Sequence, residues 1–224
     1  MDNVRFNIAE RLQIDYDNQK YQKFRGIQIM LNDPAINQAL QLLIEGNKRF
    51  AAMNATHPNQ SKERRDEVKG GQKPFAVIVG CSDSRIPPEI LFDQGIGDVF
   101  VIRLAGNIVD DTALGSIEYA VEHLGTRLIM VLGHDKCGAV TAAVKGGDIP
   151  GHIGSIVKAI APAVKKAKNQ SGDLLENAIR ENVAMAVDRL KSSSSLLAHL
   201  VKDGVLKIVG AYYRLDDGKV TLVP

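Results

Sequence analysis

Two apolar runs of strand length, Phe75–Gly80 (FAVIVG) and Leu128–Gly133 (LIMVLG), each stop abruptly in a small, chemically loaded turn. The first turn is Cys81-Ser82-Asp83-Ser84-Arg85; the second is His134-Asp135-Lys136-Cys137-Gly138. Runs that are apolar at successive positions, rather than at alternate ones, suit strands covered on both faces, the habit of parallel sheets in α/β proteins. Sites in such sheets lie beyond the carboxyl ends of the strands, where the strand order reverses. The chain's only two cysteines both stand at such ends. Packing alone would not need thiols and an imidazole there.

The rest of the chain alternates around these runs. Pro34 opens a helical pattern with Ile36, Leu40, Leu43, Ile44, Phe50 and Met53 at helical spacing, capped by Asn32 or Asp33. Ser61–Lys69 carries charges of both signs and reads as a short solvated helix. Pro87-Pro88 starts a short helix, and Asp98–Arg103 reads as a second strand followed by a tight turn at Ala105-Gly106-Asn107. Ala113–Leu124 is amphipathic and stops at Gly125. Helices follow over 138–145, 153–168 and 174–201, the last weakened locally by the serines at 192–195. Strands at Leu206–Tyr213 and Val220–Val223 close the chain.

The expected fold class is therefore α/β: a mostly parallel central sheet of about four parallel strands plus a C-terminal edge strand, flanked by helices. Residues 34–224 are expected to form one domain. Residues 1–33 show no clear period and read as an N-terminal helical arm that leans on something else, such as another subunit.

Composition narrows the function classes. A net charge of +2 sets up no strong field, which argues against nucleic acid or an anionic membrane as partner. No apolar run approaches the roughly 20 residues of a membrane span, and Met1–Asn18 lacks an apolar signal core, so a cytoplasmic protein is expected. Two cysteines are too few for a disulfide framework. A single Cys81–Cys137 disulfide is the plain alternative, and a reducing compartment disfavours it.

Two thiolates and one imidazole suit Zn²⁺, which prefers tetrahedral sulfur and nitrogen ligation. Cys81, His134 and Cys137 would bring a charge of −2 against +2 and leave one position open, the pattern of a catalytic site. Asp83 could fill that position and close the site. Arg85 is the natural discriminator, because a guanidinium can hold the carboxylate bidentately and away from the metal. Asp83 would then accept a hydrogen bond from zinc-bound hydroxide and orient it. An ordinary loop ion pair and inert buried cysteines are the simpler readings of the same residues.

Cys81-x-Asp83-x-Arg85 together with His134-x-x-Cys137-Gly138 resembles the signature of the β-class carbonic anhydrases. The similarity runs from about residue 34 to 222, through Gly71-Gln72-Lys73-Pro74, Ala105-Gly106-Asn107, Ser116–Val121 and Val209–Tyr212. The resemblance implies a zinc lyase interconverting CO₂ and bicarbonate, one Zn²⁺ per subunit, assembled as a homodimer or dimer of dimers with its active sites at the dimer interface. It makes Cys81, His134 and Cys137 the zinc ligands and Asp83–Arg85 the catalytic dyad. Gln72 matches the glutamine that hydrogen-bonds a substrate oxygen, and is read here as extending the Cys81 strand toward substrate. Phe100, Ala105, Tyr119 and Gly138 fall at the substrate pocket. A subtype closed by bicarbonate carries Trp three residues before the first cysteine; Ile78 stands there, which favours the open subtype. Asp135 departs from the Ser or Thr common after the histidine, and could make a contact behind the metal shell or alter the pKa of the metal's water. His57, His123, His152 and His199 read as surface or capping residues.

The implied reaction is attack of zinc-bound hydroxide on CO₂ held in an apolar pocket, with Asp83 orienting the nucleophile and Gln72 supporting the developing oxyanion. Two rivals use the same residues. One is a hydrolase of the same family acting on carbonyl sulfide or carbon disulfide; the other is a non-catalytic zinc-stabilised scaffold or thiol redox sensor.

Overall fold

The structure, a computed structural model, describes residues 34–223. The arm at 1–33 and the cap at Asn32 or Asp33 lie outside the described residues. The chain runs α1 (Pro34–Ala51), α2 (Lys62–Val68), β1 (Ala76–Gly80), α3 (Pro88–Leu91), β2 (Val99–Arg103), a 3₁₀ turn (Ala105–Asn107) and α4 (Asp111–Leu124). It continues with β3 (Leu128–His134), α5 (Gly138–Lys145), α6 (Ile153–Ala167), α7 (Leu174–Ser192), α8 (Ser195–Lys202), β4 (Lys207–Tyr213) and β5 (Val220–Val223).

The sheet order is β2-β1-β3-β4-β5, with four parallel strands and β5 antiparallel to β4 at the edge. The expected fold class is borne out. After β1 the chain steps to β2 on one side and then crosses to β3 on the other, so the strand order reverses at β1. That reversal opens a crevice between the carboxyl ends of β1 and β3. Cys81 follows the one end and His134 closes the other.

Alternation along the strands divides the core. Ala76 and Ile78 of β1 and Leu128, Met130 and Leu132 of β3 pack with α1, α5, α6 and the first half of α7. Val77 and Val79, with Ile129 and Val131, pack with α4, α8 and the second half of α7. Both strands are buried at every position, which is why their sequences are apolar throughout. At about 25 cal/mol per Å² of apolar surface, sheet burial on two sides dominates the stability of such a fold.

The helices start and stop for local reasons. Asp110, Asp173 and Ser61 accept from backbone N–H groups in the first turns of α4, α7 and α2. Gly125 ends α4 in the left-handed conformation expected of it. Two readings need correction. The first helix ends at Ala51, and Met53 leaves it with φ +58 and its side chain exposed. The stretch read as a single weakened helix over 174–201 is two helices. Ser194 takes an extended conformation and its side chain accepts from Leu197 N–H, so a serine there caps a new helix instead of continuing the old one.

Helix α7 lies close against β3 and β4, and glycine makes this possible. A Cβ on Gly133 would overlap Val183 Cγ2, and one on Gly210 would lie 2.9 Å from Val183 Cγ1. Gly133 immediately precedes His134, so this close approach sets how near α7 lies to the end of β3.

Candidate metal centre

Cys81 leaves β1 almost fully buried, and its turn is pinned from the neighbouring strand. The β1–β2 register sets Gly80 opposite Arg103. Arg103 Nε donates to the Cys81 carbonyl at 2.8 Å and its Nη2 donates to the Asp83 carbonyl. From the other side, Gly106 N–H donates to Cys81 Sγ at 3.2 Å. Gly106 sits at φ +70, where any side chain would be strained, and a Cβ there would crowd Ile160 Cδ1 at 2.6 Å. Its carbonyl accepts from Asn182 of α7 at 2.7 Å.

His134 ends β3 with its side chain wholly buried. Its Nδ1 lies 2.8 Å from the Asp135 carbonyl oxygen, which can only accept, so Nδ1 carries the proton. The Nε2 lone pair is thereby left facing the thiols, and Nε2 is buried with no hydrogen-bond partner. Lys136 turns the chain at φ +53 and delivers Cys137 to the start of α5.

The donor atoms of Cys81, His134 and Cys137 all lie within 4.8 Å of one another. The two sulfurs are 4.0 Å apart. Ligands ~2.3 Å from a tetrahedral zinc would be ~3.8 Å apart, so the sulfurs already stand at the required separation. An orphaned buried imidazole nitrogen beside two free buried thiols is the donor set zinc takes. The residues fit the metal. They also prepare for it: the hydrogen bond from Cys137, together with the Gly106 N–H, holds the Cys81 thiol well below its usual range. Cys137, which supplies that bond and is buried, is pushed up.

Asp83 pairs with Arg85 in this arrangement. Arg85 Nε donates to Asp83 Oδ1 at 3.0 Å, Nη2 to Oδ2 at 2.8 Å, and the Arg85 backbone N–H to Oδ1 at 2.9 Å. Asp83 Oδ2 stands 3.9 Å from His134 Nε2, at the margin of the triad. The Arg85 hydrogen bonds hold its carboxyl down at about 2, so it is a carboxylate at any physiological pH.

The pocket residues divide into two sets. Ala105 and Gly138 adjoin the triad, through the Gly106 peptide and directly after Cys137. Gln72 does not. It is exposed, four residues before β1 begins, whereas Cys81 follows the strand's other end. A five-residue strand spans ~17 Å, so Gln72 cannot extend its own strand toward its own triad. Phe100 and Tyr119 pack with each other at 6.5 Å between ring centroids, on the α4 side of the sheet. The triad's cysteines belong to the opposite side. Arg103 and Asn182 escaped the sequence reading, because only strand register and helix packing bring them to Cys81.

The sequence pattern of the carbonic anhydrase family matches residues 76–220. The chain belongs to the β-class carbonic anhydrases. These zinc-binding lyases interconvert CO₂ and bicarbonate. Carbonic anhydrase 2 of Mycobacterium tuberculosis is 45% identical over 188 residues, covering 82% of this chain and 91% of that protein. The carbonic anhydrase of Mycolicibacterium smegmatis is 43% identical over the same shares. Among solved structures, the Coccomyxa β-carbonic anhydrase in complex with acetazolamide superposes with a TM-score of 0.65 at 28% identity, covering 81% of this chain and 84% of that one. The β-carbonic anhydrase CcaA does so with 0.65 at 27%, covering 82% and 94%. Among the described residues no helix is long and apolar enough to cross a membrane.

Proposed function

We propose that residues 34–224 act as one carbonic anhydrase domain in which Cys81, His134 and Cys137 hold zinc and Asp83 directs the attacking oxygen toward CO₂. The observation that carries this is the bidentate Asp83–Arg85 pair beside the triad. When bound, zinc supplies Lewis acidity that brings a water's pKa near 7 and so a nucleophile at neutral pH. Arg85 occupies both carboxylate oxygens on one edge and keeps Asp83 from closing the site as a fourth ligand. Asp83 keeps lone pairs with which to accept a hydrogen bond from the attacking oxygen, turning that oxygen's own lone pair toward the substrate carbon. His134, with its proton fixed at Nδ1, offers only Nε2 to the metal. Ala105 and the start of α5 at Gly138 form the near wall.

The far wall belongs, on this reading, to a second copy. Gln72, Phe100 and Tyr119 lie away from their own triad yet are exposed or half-buried, with Tyr119 49% exposed. A homodimer with its sites at the interface would bring one copy's Gln72 amide to the substrate oxygen of the other, and the two rings to its apolar pocket. Two copies, or a dimer of such dimers, then form the working unit. Tetrameric assembly is described for two Sordaria macrospora β-carbonic anhydrases that share this fold. Two free, adjacent thiols that must both reach the thiolate form suit a reducing cytoplasm.

Mixing two inactive variants tests this directly. Cys81→Ser copies keep Gln72 but lack a metal site, and Gln72→Ala copies are the reverse, with turnover expected ~10²-fold down. Random pairing makes half the dimers mixed, each with one complete site, so CO₂ hydration should recover to about a quarter of the unmutated protein. No gain over the average of the two parents would put Gln72 in its own chain's site, or out of the reaction.

A further inference from the structure

We propose that Asp135 is a positioning residue for the metal centre: its carboxylate latches the His134–Cys137 turn to the chain leaving β4, and so fixes the carbonyl that orients His134. This rests on His134 being a ligand.

The β3–β4 ladder ends with His134 opposite Tyr213. Asp135 N–H adds one more rung, donating to the Tyr213 carbonyl at 3.1 Å. Beyond Tyr213 the chain bends away into the β4–β5 hairpin, where Arg214 N–H donates to the Lys219 carbonyl, and Leu215 N–H has no strand neighbour to meet. The Asp135 side chain supplies the acceptor in its place: Leu215 N–H donates to Oδ1 at 2.8 Å. The Asp135 residue is thus held on one side through both its backbone N–H and its side chain. Its carbonyl is left directed back at the imidazole, 2.8 Å from Nδ1.

The consequence falls on the metal ligand. A ring whose Nδ1–H is committed to a fixed carbonyl presents a bare Nε2; a ring released from it can swap tautomer or turn, and an Nε2–H cannot bind a metal. The next residue continues the brace. Lys136 turns at φ +53, its carbonyl lies 3.4 Å from Arg85 Nη2, and its Nζ meets Asp216 of the hairpin at 2.9 Å. That exposed pair contributes little alone. The half-buried Asp135–Leu215 contact carries the latch. A serine or threonine at this position has a shorter reach to Leu215, which accounts for a carboxylate here. An acceptor is what the Leu215 N–H asks for; the negative charge also favours the cationic Arg85 and Lys136 nearby, which the asparagine and glutamate variants separate from the hydrogen bond.

The test uses full-length, zinc-loaded protein with Asp135→Asn, Asp135→Glu and Asp135→Ala. Zinc affinity is read by competition with a chelator, and ligand geometry by the absorption bands of the cobalt-substituted protein. Asparagine keeps the acceptor at the same reach, so D135N should stay within about threefold of the unmutated affinity with unchanged cobalt bands. D135A and D135E should bind zinc about tenfold or more weakly, with shifted bands. If D135A fails to fold, the contrast between asparagine and glutamate decides alone. Tight binding by glutamate with weak binding by asparagine would assign the effect to charge and overturn the latch. Unchanged affinity and bands in all three would also overturn it. His134→Ala serves as the separate control: undiminished zinc affinity there would remove the ligand reading itself, whatever Asp135 does.

Discussion

Cys81→Ser is expected to empty the metal site and abolish CO₂ hydration in a single step. Zinc content should fall from one per chain to under about a tenth, and hydration at neutral pH by on the order of 10³-fold or more. Cys81 is 4% exposed and its sulfur stands 4.0 Å from its partner thiol, a separation that suits a tetrahedral ion bound by both. Serine is shorter, is not deprotonated at neutral pH and is a poor ligand for a borderline-soft cation. With one thiolate lost, a buried ion would keep an uncompensated positive charge, which the low-dielectric surroundings penalise. The Gly106 N–H, placed to donate to a sulfur anion, would face a neutral hydroxyl instead. Metal analysis and stopped-flow hydration on the same preparation check both halves. Zinc retained at full content with full turnover would remove Cys81 from the ligand set.

Asp83→Ala is expected to separate the two properties. Zinc should stay near one per chain, while turnover falls by about 10²-fold, the scale expected for losing a group that orients the attacking oxygen. Full turnover in this variant would sink the orienting role. The same carboxylate makes a pH prediction. Its pKa is lowered from 3.8 to about 2, with the hydrogen bond from Arg85 as the leading cause. A group depressed on folding adds stability above its unfolded pKa near 4, and that contribution is lost as pH falls through about 2. The stability gap between the unmutated protein and D83A should thus be open at pH 7 and close toward pH 2 in urea titrations. Asp83 is only partly buried, so solvent screening keeps that gap modest.

Much of this architecture was legible because burial on two faces leaves a plain mark. Apolar residues at successive positions announced β1 and β3, and the abrupt change to Cys81 and to His134 announced where each strand ends. Ligand chemistry in Cys81, His134 and Cys137 then needed only the rule that sites gather at carboxyl ends of parallel strands. The Asp83–Arg85 pair was readable because two residues in one turn can meet without help from the fold. Gln72 misled for the opposite reason. Nearness in sequence to Cys81 suggested nearness in space, but an intervening strand separates its two ends by its full length. Phe100 carried a parity clue: it alternates with Val99 and Val101, which face the cysteine side, so it must face the other. Arg103 and Asn182 left no such mark. Register brings the one beside Gly80, and the packing of α7 brings the other to Gly106, 76 residues away. Asp135 was visible as a departure from the family pattern, and only the end of the β3–β4 ladder gave that departure a physical reason.

The most direct test of the whole account is stopped-flow hydration of CO₂ by the zinc-loaded protein from about pH 6 to 9, with carbonyl sulfide as a parallel substrate. Hydration should rise with pH as a water of pKa near 7 ionises, vanish on removal of the metal, and far exceed any turnover of carbonyl sulfide. A fully zinc-loaded protein that hydrates CO₂ no faster than buffer, or that prefers carbonyl sulfide, would contradict it.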